Sequence, residues 1–154
     1  MAGEEQYFAA APQVSSRPST VHVAAAGVAF DLAADAGVFS ARGLDPGTAV
    51  LLAEAPYPEQ PSTVLDLGCG YGPITFTLAK RCAECRVFAV DVNTRALRLV
   101  RANAAELGTA GVRACLPEEV PPQLRFAAIY SNPPIRIGKP ALHELFRTWL
   151  PRLE

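Results

Sequence analysis

Histidine and cysteine are scarce, with two histidines and four cysteines in 154 residues. His22 and His143 have no neighbours in sequence that would make a triad or a metal site, so both read as structural or exposed residues. Cys82-Ala-Glu-Cys85 has metal-like spacing, but no second pair and no nearby histidine completes a site. Ordinary packing at a helix end accounts for it, and no metal is expected. The cysteines show no disulfide-framework pattern, which suits a reducing compartment. No apolar run approaches the roughly 20 residues of a membrane span. The opening Met1-Ala-Gly-Glu-Glu5 is acidic where a secretory signal would be basic. A cytoplasmic protein without membrane contact is expected. The net charge of −1 gives no general surplus of positive charge for a polyanion, so a nucleic acid would have to be held by a local patch.

Half of the residues are hydrophobic, and the length suits one layered core. Residues 1–19 are rich in Ala, Pro and Ser and are expected to be extended or flexible, with a single domain over 20–154. Val21–Ala24 and Val28–Leu32 alternate around Gly27 and predict a β-hairpin. Gly37-Val-Phe-Ser40 reads as a loop. Asp45-Pro46 reads as an N-cap and first-turn proline, opening a helix through Val50, Leu51 and Leu52 that stops before Pro56. After the proline-rich linker 56–61, strands and helices alternate. Strands are predicted at Val64–Leu67, Val87–Val90, Val112–Cys115 and Phe126–Tyr130, and helices at Ile74–Arg81, Thr94–Leu107 and Pro140–Leu150. The result is an α/β fold: a Rossmann-like, doubly wound, mostly parallel sheet in a three-layer α/β/α sandwich with an N-terminal β-hairpin. The sequence reaches Pro151-Arg-Leu-Glu154 where another strand is due, so either more chain or a partner is expected against that sheet edge.

Parallel sheets bind ligands at the carboxyl ends of their strands, and three notable groups fall there. In Val64-Leu-Asp-Leu-Gly-Cys-Gly-Tyr-Gly-Pro73 a strand runs through a glycine turn into a helix, which predicts ligand approach to bare backbone N–H groups at a helix N-terminus. Asp91 ends the next strand about twenty residues after the glycines, where a carboxylate can accept from both ribose hydroxyls. Ser131-Asn-Pro-Pro134 ends a later strand. A nicotinamide dehydrogenase would share Asp91, but it would not usually place an acid at Asp66 or end a strand in Asn-Pro-Pro. Taken singly, Asp66 could be a strand-end cap and Asn132-Pro-Pro a turn.

These residues resemble the class I S-adenosylmethionine-dependent methyltransferases that modify exocyclic amino groups. Gly37-Val-Phe-Ser40, Leu44-Asp-Pro-Gly-Thr48 and Asn132-Pro-Pro-Ile-Arg-Ile-Gly-Lys139 are similar to the "methyltransferase small domain" type, the ribosomal RNA guanine-N2 methyltransferases. The resemblance runs from about Tyr7 onward; the larger members' extra N-terminal domain and the family's last strands are not among these residues. It implies S-adenosylmethionine as cofactor, with Gly68, Gly70 and Gly72 passing close to it and Asp66 near its ammonium. Asp91 would hold the ribose, Asn93 would lie at the adenine edge, and Phe39 and Ser40 would close over the methionine end.

The resemblance also implies a catalytic Asn132-Pro133-Pro134, with Asn132 also against the cofactor. The Asn132 oxygen and the Pro133 carbonyl would each accept an N–H of the amine, aim its lone pair and stabilise the positive charge that develops on nitrogen. Ile135 stands where related loops carry a base-stacking aromatic, and Arg136 and Lys139 would meet substrate phosphates. The implied function is methylation of a guanine N2 in 16S ribosomal RNA, with ribosomal RNA or the small ribosomal subunit as partner. A protein amide or small-molecule acceptor, or a non-catalytic cofactor-binding fragment, are the alternatives. Arg95, Arg98 and Arg101 read as a solvated helix face. Tyr71 fits either packing over the glycine loop or the surface.

Overall fold

Residues 10–133 and 135–154 are described in a computed structural model of the chain; Pro134 and the side chain of Ile135 lie outside the described set. Strands β1 (Ser19–Ala25) and β2 (Val28–Ala34) form the hairpin, turning at Ala26-Gly27, both with positive φ. Val21, Val23, Phe30 and Leu32 alternate onto its buried face. Helix α1 (Pro46–Glu54) follows, capped by the Asp45 carboxylate, which accepts from the Thr48 N–H at 3.0 Å.

Then come β3 (Thr63–Leu67), α2 (Pro73–Arg81), β4 (Arg86–Val90), α3 (Thr94–Leu107), β5 (Val112–Cys115), β6 (Ala128–Ser131) and α4 (Lys139–Trp149). The four later strands pair in parallel in the order β5-β4-β3-β6. Side-chain alternation feeds two cores. Val64, Val87 and Ala89 face the hairpin, α1, α2 and α3, while Leu65, Leu67, Phe88 and Val90 face Phe126, Val120 and Trp149 of α4. The expected α/β class and hairpin are therefore present.

Element ends agree with the sequence reading within about two residues, and one of these offsets is informative. The last strand begins at Ala128 rather than Phe126. Phe126 pairs instead with the chain's end: its N–H donates to the Arg152 carbonyl at 2.9 Å, and its carbonyl accepts from the Glu154 N–H at 3.0 Å. That makes a parallel bridge to Leu153 on the outer side of β6.

Two side-chain expectations are corrected. Cys82 caps the C-terminus of α2, and the turn into β4 brings its Cα to 5.3 Å from that of Cys85, within bridging range. The two form a disulfide, where packing alone was expected. Arg95 is no solvated charge. It donates to the Ala36 carbonyl at 2.6 Å and to the Val14 carbonyl at 2.9 Å, clasping the segment before β1 and the loop after β2 onto α3. The Thr94 N–H and hydroxyl add bonds to the Ala10 carbonyl, and Asp35 accepts from Ser16 and Arg17. Residues 10–17 thus run fastened across the start of α3. Among the described residues, no helix is long and apolar enough to cross a membrane.

The hairpin is joined to α3 by Asn103, which is 4% exposed. Its oxygen accepts from the Ala33 N–H at 2.8 Å, and its NH2 donates to the carbonyls of Ala33 and Tyr71 at 3.0 and 3.2 Å. Asn103→Ala leaves these backbone groups unsatisfied and is expected to cost about 2–4 kcal/mol in urea unfolding. A loss below about 0.5 kcal/mol, the level of a surface change, would show that the hairpin is held by apolar packing alone.

Candidate functional site

The strand order reverses between β3 and β6, and at such a switch point the connections leave in opposite directions and open a crevice at the carboxyl ends. A cavity of about 620 Å³ lies there, and its lining includes Phe39, Gly68, Gly70, Asp91, Asn132 and Pro133. Residues from all three strand-end groups thus meet in one space. Ser131 fastens the mouth, its hydroxyl donating to the Leu67 carbonyl at 2.8 Å across the β3/β6 pair.

The glycine loop differs from its expected role. Gly68 and Cys69 both donate their N–H to the Val90 carbonyl, at 2.7 and 3.0 Å. The Gly70 N–H donates to Asp91 Oδ2 at 2.9 Å and the Gly72 N–H to the Cys69 carbonyl at 3.1 Å. The expected array of bare N–H groups is therefore bonded within the protein, and the loop is no phosphate cradle. What it offers is clearance. A Cβ at Gly68 would meet nothing within 4 Å, and one at Gly70 only Val38 Cγ1 at 4.0 Å. Gly72 is a different case. It has a φ of +108° and is absent from the lining, and its Cβ would sit 2.5 Å from Phe76 Cε2. Gly72 serves the packing of α2 rather than ligand approach.

Asp91 lines the cavity, with Oδ2 accepting from Gly70 and Oδ1 from the Asn93 N–H at 2.9 Å. Burial raises its pKa, opposed by these N–H bonds. Each oxygen keeps a lone pair for a ligand donor. Asn93, expected at an adenine edge, lines the cavity but is 1% exposed, with its amide bonded within the protein. Its oxygen caps α3 through the Arg95 and Ala96 N–H groups at 3.0 and 3.3 Å, and its NH2 donates to the Gly37 carbonyl at 2.9 Å.

Asp66 is fully buried and absent from the cavity lining. Its Oδ2 accepts from the Thr75 hydroxyl at 2.7 Å, in the first turn of α2, and its Oδ1 has no partner among the described residues. Burial pushes its pKa up to about 7, despite the Thr75 hydroxyl and N–H, and the charge of Asp91 adds to the rise. The acid expected near a ligand ammonium is thus bonded to the first turn of α2.

At the other end of the cavity, Asn132 Nδ2 lies 3.0 Å from Asp45 Oδ2 and 3.0 Å from Thr48 Oγ1. Asn132 Oδ1 has no donor against it among the described residues. Sequence reasoning had Asp45 only as a cap and assigned Thr48 no role. The contacts to Asn132 span 87 and 84 residues, which no local pattern reveals, although both residues sit in the Leu44–Thr48 motif. Tyr71 is 1% exposed and lines the cavity, its hydroxyl without a partner among the described residues. Burial, helped by the charge of Asp45, holds its pKa up at about 12, so the phenol stays neutral.

Phe39 is exposed at the rim, and Ser40 holds its own loop, donating to the Gly43 carbonyl at 2.6 Å. Arg136 is exposed and lines the opening, whereas Lys139 starts α4 away from the lining. Pro134 and the Ile135 side chain, both expected in the site, lie outside the described residues. Cys69 also lines the cavity, and burial together with the nearby Asp91 and Asp66 raises its pKa well above that of a free thiol, so it remains protonated and is no nucleophile. The site combines an oriented amide oxygen, a carboxylate with free lone pairs and apolar walls. That equipment suits binding and orienting an amine beside a ribose-bearing ligand.

Comparison with known proteins places the chain in a family. The family model described as Methyltransferase small domain matches residues 29–153. The uncharacterized protein YbxB of Bacillus subtilis is 36% identical over 145 residues, covering 92% of this chain and 72% of its own length. Ribosomal RNA small subunit methyltransferase C of Aeromonas hydrophila is 38% identical over 114 residues, covering 74% of this chain but 33% of its own. Among solved structures, the Thermus thermophilus 16S rRNA N2 G1207 methyltransferase (RsmC), in complex with AdoMet and guanosine, superposes with a TM-score of 0.74 at 22% identity. The match covers 93% of this chain and 40% of that one. The chain thus spans about a third of the length of the rRNA methyltransferase relatives it matches.

Asp66 generates a pH-dependent stability. With a folded pKa of about 7 against the usual 3.8, the folded chain keeps a proton that the unfolded chain has released. The contribution is full below about pH 4, lost as pH rises towards 7 and constant above, on the order of 4 kcal/mol. Asp66→Asn is expected to remove that slope, so the stability of wild type minus variant falls between those limits in urea titrations. A flat difference would show that folding does not raise the pKa of Asp66.

Proposed function

The chain belongs to the methyltransferase small domain family, and from that membership we propose an S-adenosylmethionine-dependent N-methyltransferase acting on the exocyclic N2 of a guanine in 16S ribosomal RNA. The observation that carries the reading is the single cavity in which the glycine loop, Asp91 and Asn132-Pro133 meet. Open space over Gly68 and Gly70 fits a ligand laid against backbone, and the lone pairs left on Asp91 fit ribose hydroxyls. Phe39, with Ser40 behind it, covers the methionine end. When bound, S-adenosylmethionine supplies an electrophilic methyl group on a sulfonium.

The chain's own residues do the rest. Asn132 Oδ1 and the Pro133 carbonyl each accept one N–H of a planar amine, turning its lone pair out of conjugation with the base and stabilising positive charge on nitrogen. A strong base is unnecessary, because an alkylated ammonium loses its proton readily. Arg136 at the opening, with Lys139 beyond it, supplies the positive charge for RNA phosphates that the net composition lacks. RNA of the small ribosomal subunit is the partner, and the cytoplasm is the corresponding location. The relatives named as small-subunit rRNA methyltransferases support this acceptor.

Calorimetric titration of the methyl donor should give saturable binding that Asp91→Ala abolishes. Incubating 16S rRNA transcript with labelled donor, followed by digestion to nucleosides, should place the label on N2-methylguanosine, and Asn132→Ala should lower kcat about 100-fold. Label appearing only on protein amides or small molecules would replace the acceptor. A folded protein that does not bind the donor would overturn the reading.

A further inference from the structure

Resting on that amine chemistry, we propose that Asp45 and Thr48 are positioning residues, a clamp that fixes the Asn132 amide in one orientation and strengthens its oxygen as an acceptor. Asn132 Nδ2 meets both Asp45 Oδ2 and Thr48 Oγ1 at 3.0 Å, so each of its protons has an acceptor. In the flipped amide, Oδ1 would face a carboxylate oxygen that has no proton to give. The clamp therefore selects one of two otherwise similar side-chain states and leaves Oδ1 to the cavity.

The clamp is itself anchored. Asp45 Oδ2 accepts from the Thr48 N–H at 3.0 Å, fixing the acid to the first turn of α1, and Thr48 is buried on that helix. Groups on rigid elements hold a side chain to tighter tolerances than groups on loops. Gly47 keeps the space clear, since a Cβ there would sit 3.0 Å from Asp45 Oδ2 and 3.5 Å from Asn132 Nδ2. Capping alone explains the Thr48 N–H bond, but not an acid and a hydroxyl converging on one amide 87 and 84 residues further along the chain.

The charge has an effect of its own. A carboxylate hydrogen-bonded to the NH2 of an amide draws positive density to nitrogen and negative density to oxygen. Asn132 Oδ1 thereby becomes a stronger acceptor for the amine N–H. Tyr71, the neighbour whose phenol stays neutral, adds no competing charge.

Three variants separate capping from clamping. Asp45→Ser retains an N-cap oxygen but cannot reach Asn132, Asp45→Asn removes the charge, and Thr48→Val removes the second acceptor. The first readout requires no turnover: hydrogen exchange of the Asn132 side-chain NH2 by 15N NMR, the resonance being assigned by its absence in Asn132→Asp. Exchange should accelerate about tenfold or more in Asp45→Ser and Thr48→Val, as expected on losing a part-buried hydrogen bond. The second is the kinetic split. In all three variants kcat should fall about 10-fold to 100-fold, with methyl-donor affinity within about twofold of wild type. Unchanged exchange in Asp45→Ser and Thr48→Val overturns the clamp whatever the activity. Faster exchange with unchanged kcat overturns its role in catalysis. A wild-type protein that binds the donor yet methylates no guanine counts against the proposed acceptor, and exchange still decides the clamp.

Discussion

The loop after β3 takes its shape from the end of β4. Three successive N–H groups, from Gly68, Cys69 and Gly70, are held by the Val90 carbonyl and the Asp91 carboxylate. The parallel register that sets Leu67 beside Val90 makes this possible, because it delivers the turn to the one place where those acceptors wait. With these three donors engaged, the loop does not offer them to a ligand. What it presents to the cavity is clearance over Gly68 and Gly70 and the carboxylate that holds it, so Asp91 is at once a strut of the loop and a wall of the cavity.

The polar groups around that loop divide into those that support and those that face the ligand space. Asp66 sits under α2, bonded to Thr75, and Asn93 is a cap that also ties down Gly37. Asn103 and Arg95 fasten the hairpin and residues 10–17 to the same helix, α3. One helix therefore gathers the N-terminal elements around the ligand space, and the buried amides that do so have their hydrogen bonds satisfied. Among the described residues Tyr71 and Asp66 are the exceptions, each with a buried oxygen that lacks a partner, and the raised pKa of Asp66 expresses that cost.

The fold was largely legible in the sequence. Apolar runs of strand length alternating with amphipathic stretches have few other solutions, and Asp45-Pro46, Gly72-Pro73 and Asn93 punctuated the helix starts where they occur. The offset at Phe126 is instructive: the residue has the composition of a strand, yet its backbone partners are Arg152 and Glu154 rather than β3. Propensity says that a residue will pair, not with what. The site was legible as residue types at strand ends, since Gly68, Gly70, Asp91 and Asn132 do line one cavity. The division of labour among them was not, because Gly68 and Gly72 look alike until Phe76 is seen packed against only the second.

The sequence by itself determined the element order, the class of fold and the set of strand-end residues, because periodicity, capping residues and glycine placement act over a few neighbours. Tertiary structure decided what each polar side chain is bonded to. It turned Asp66 inward and Arg95 into a clasp, joined Cys82 to Cys85, and brought Asp45 and Thr48 onto the amide of Asn132. Most of these partners lie tens of residues apart, and a hydrogen bond depends on distances of a few tenths of an ångström that only the packed chain sets.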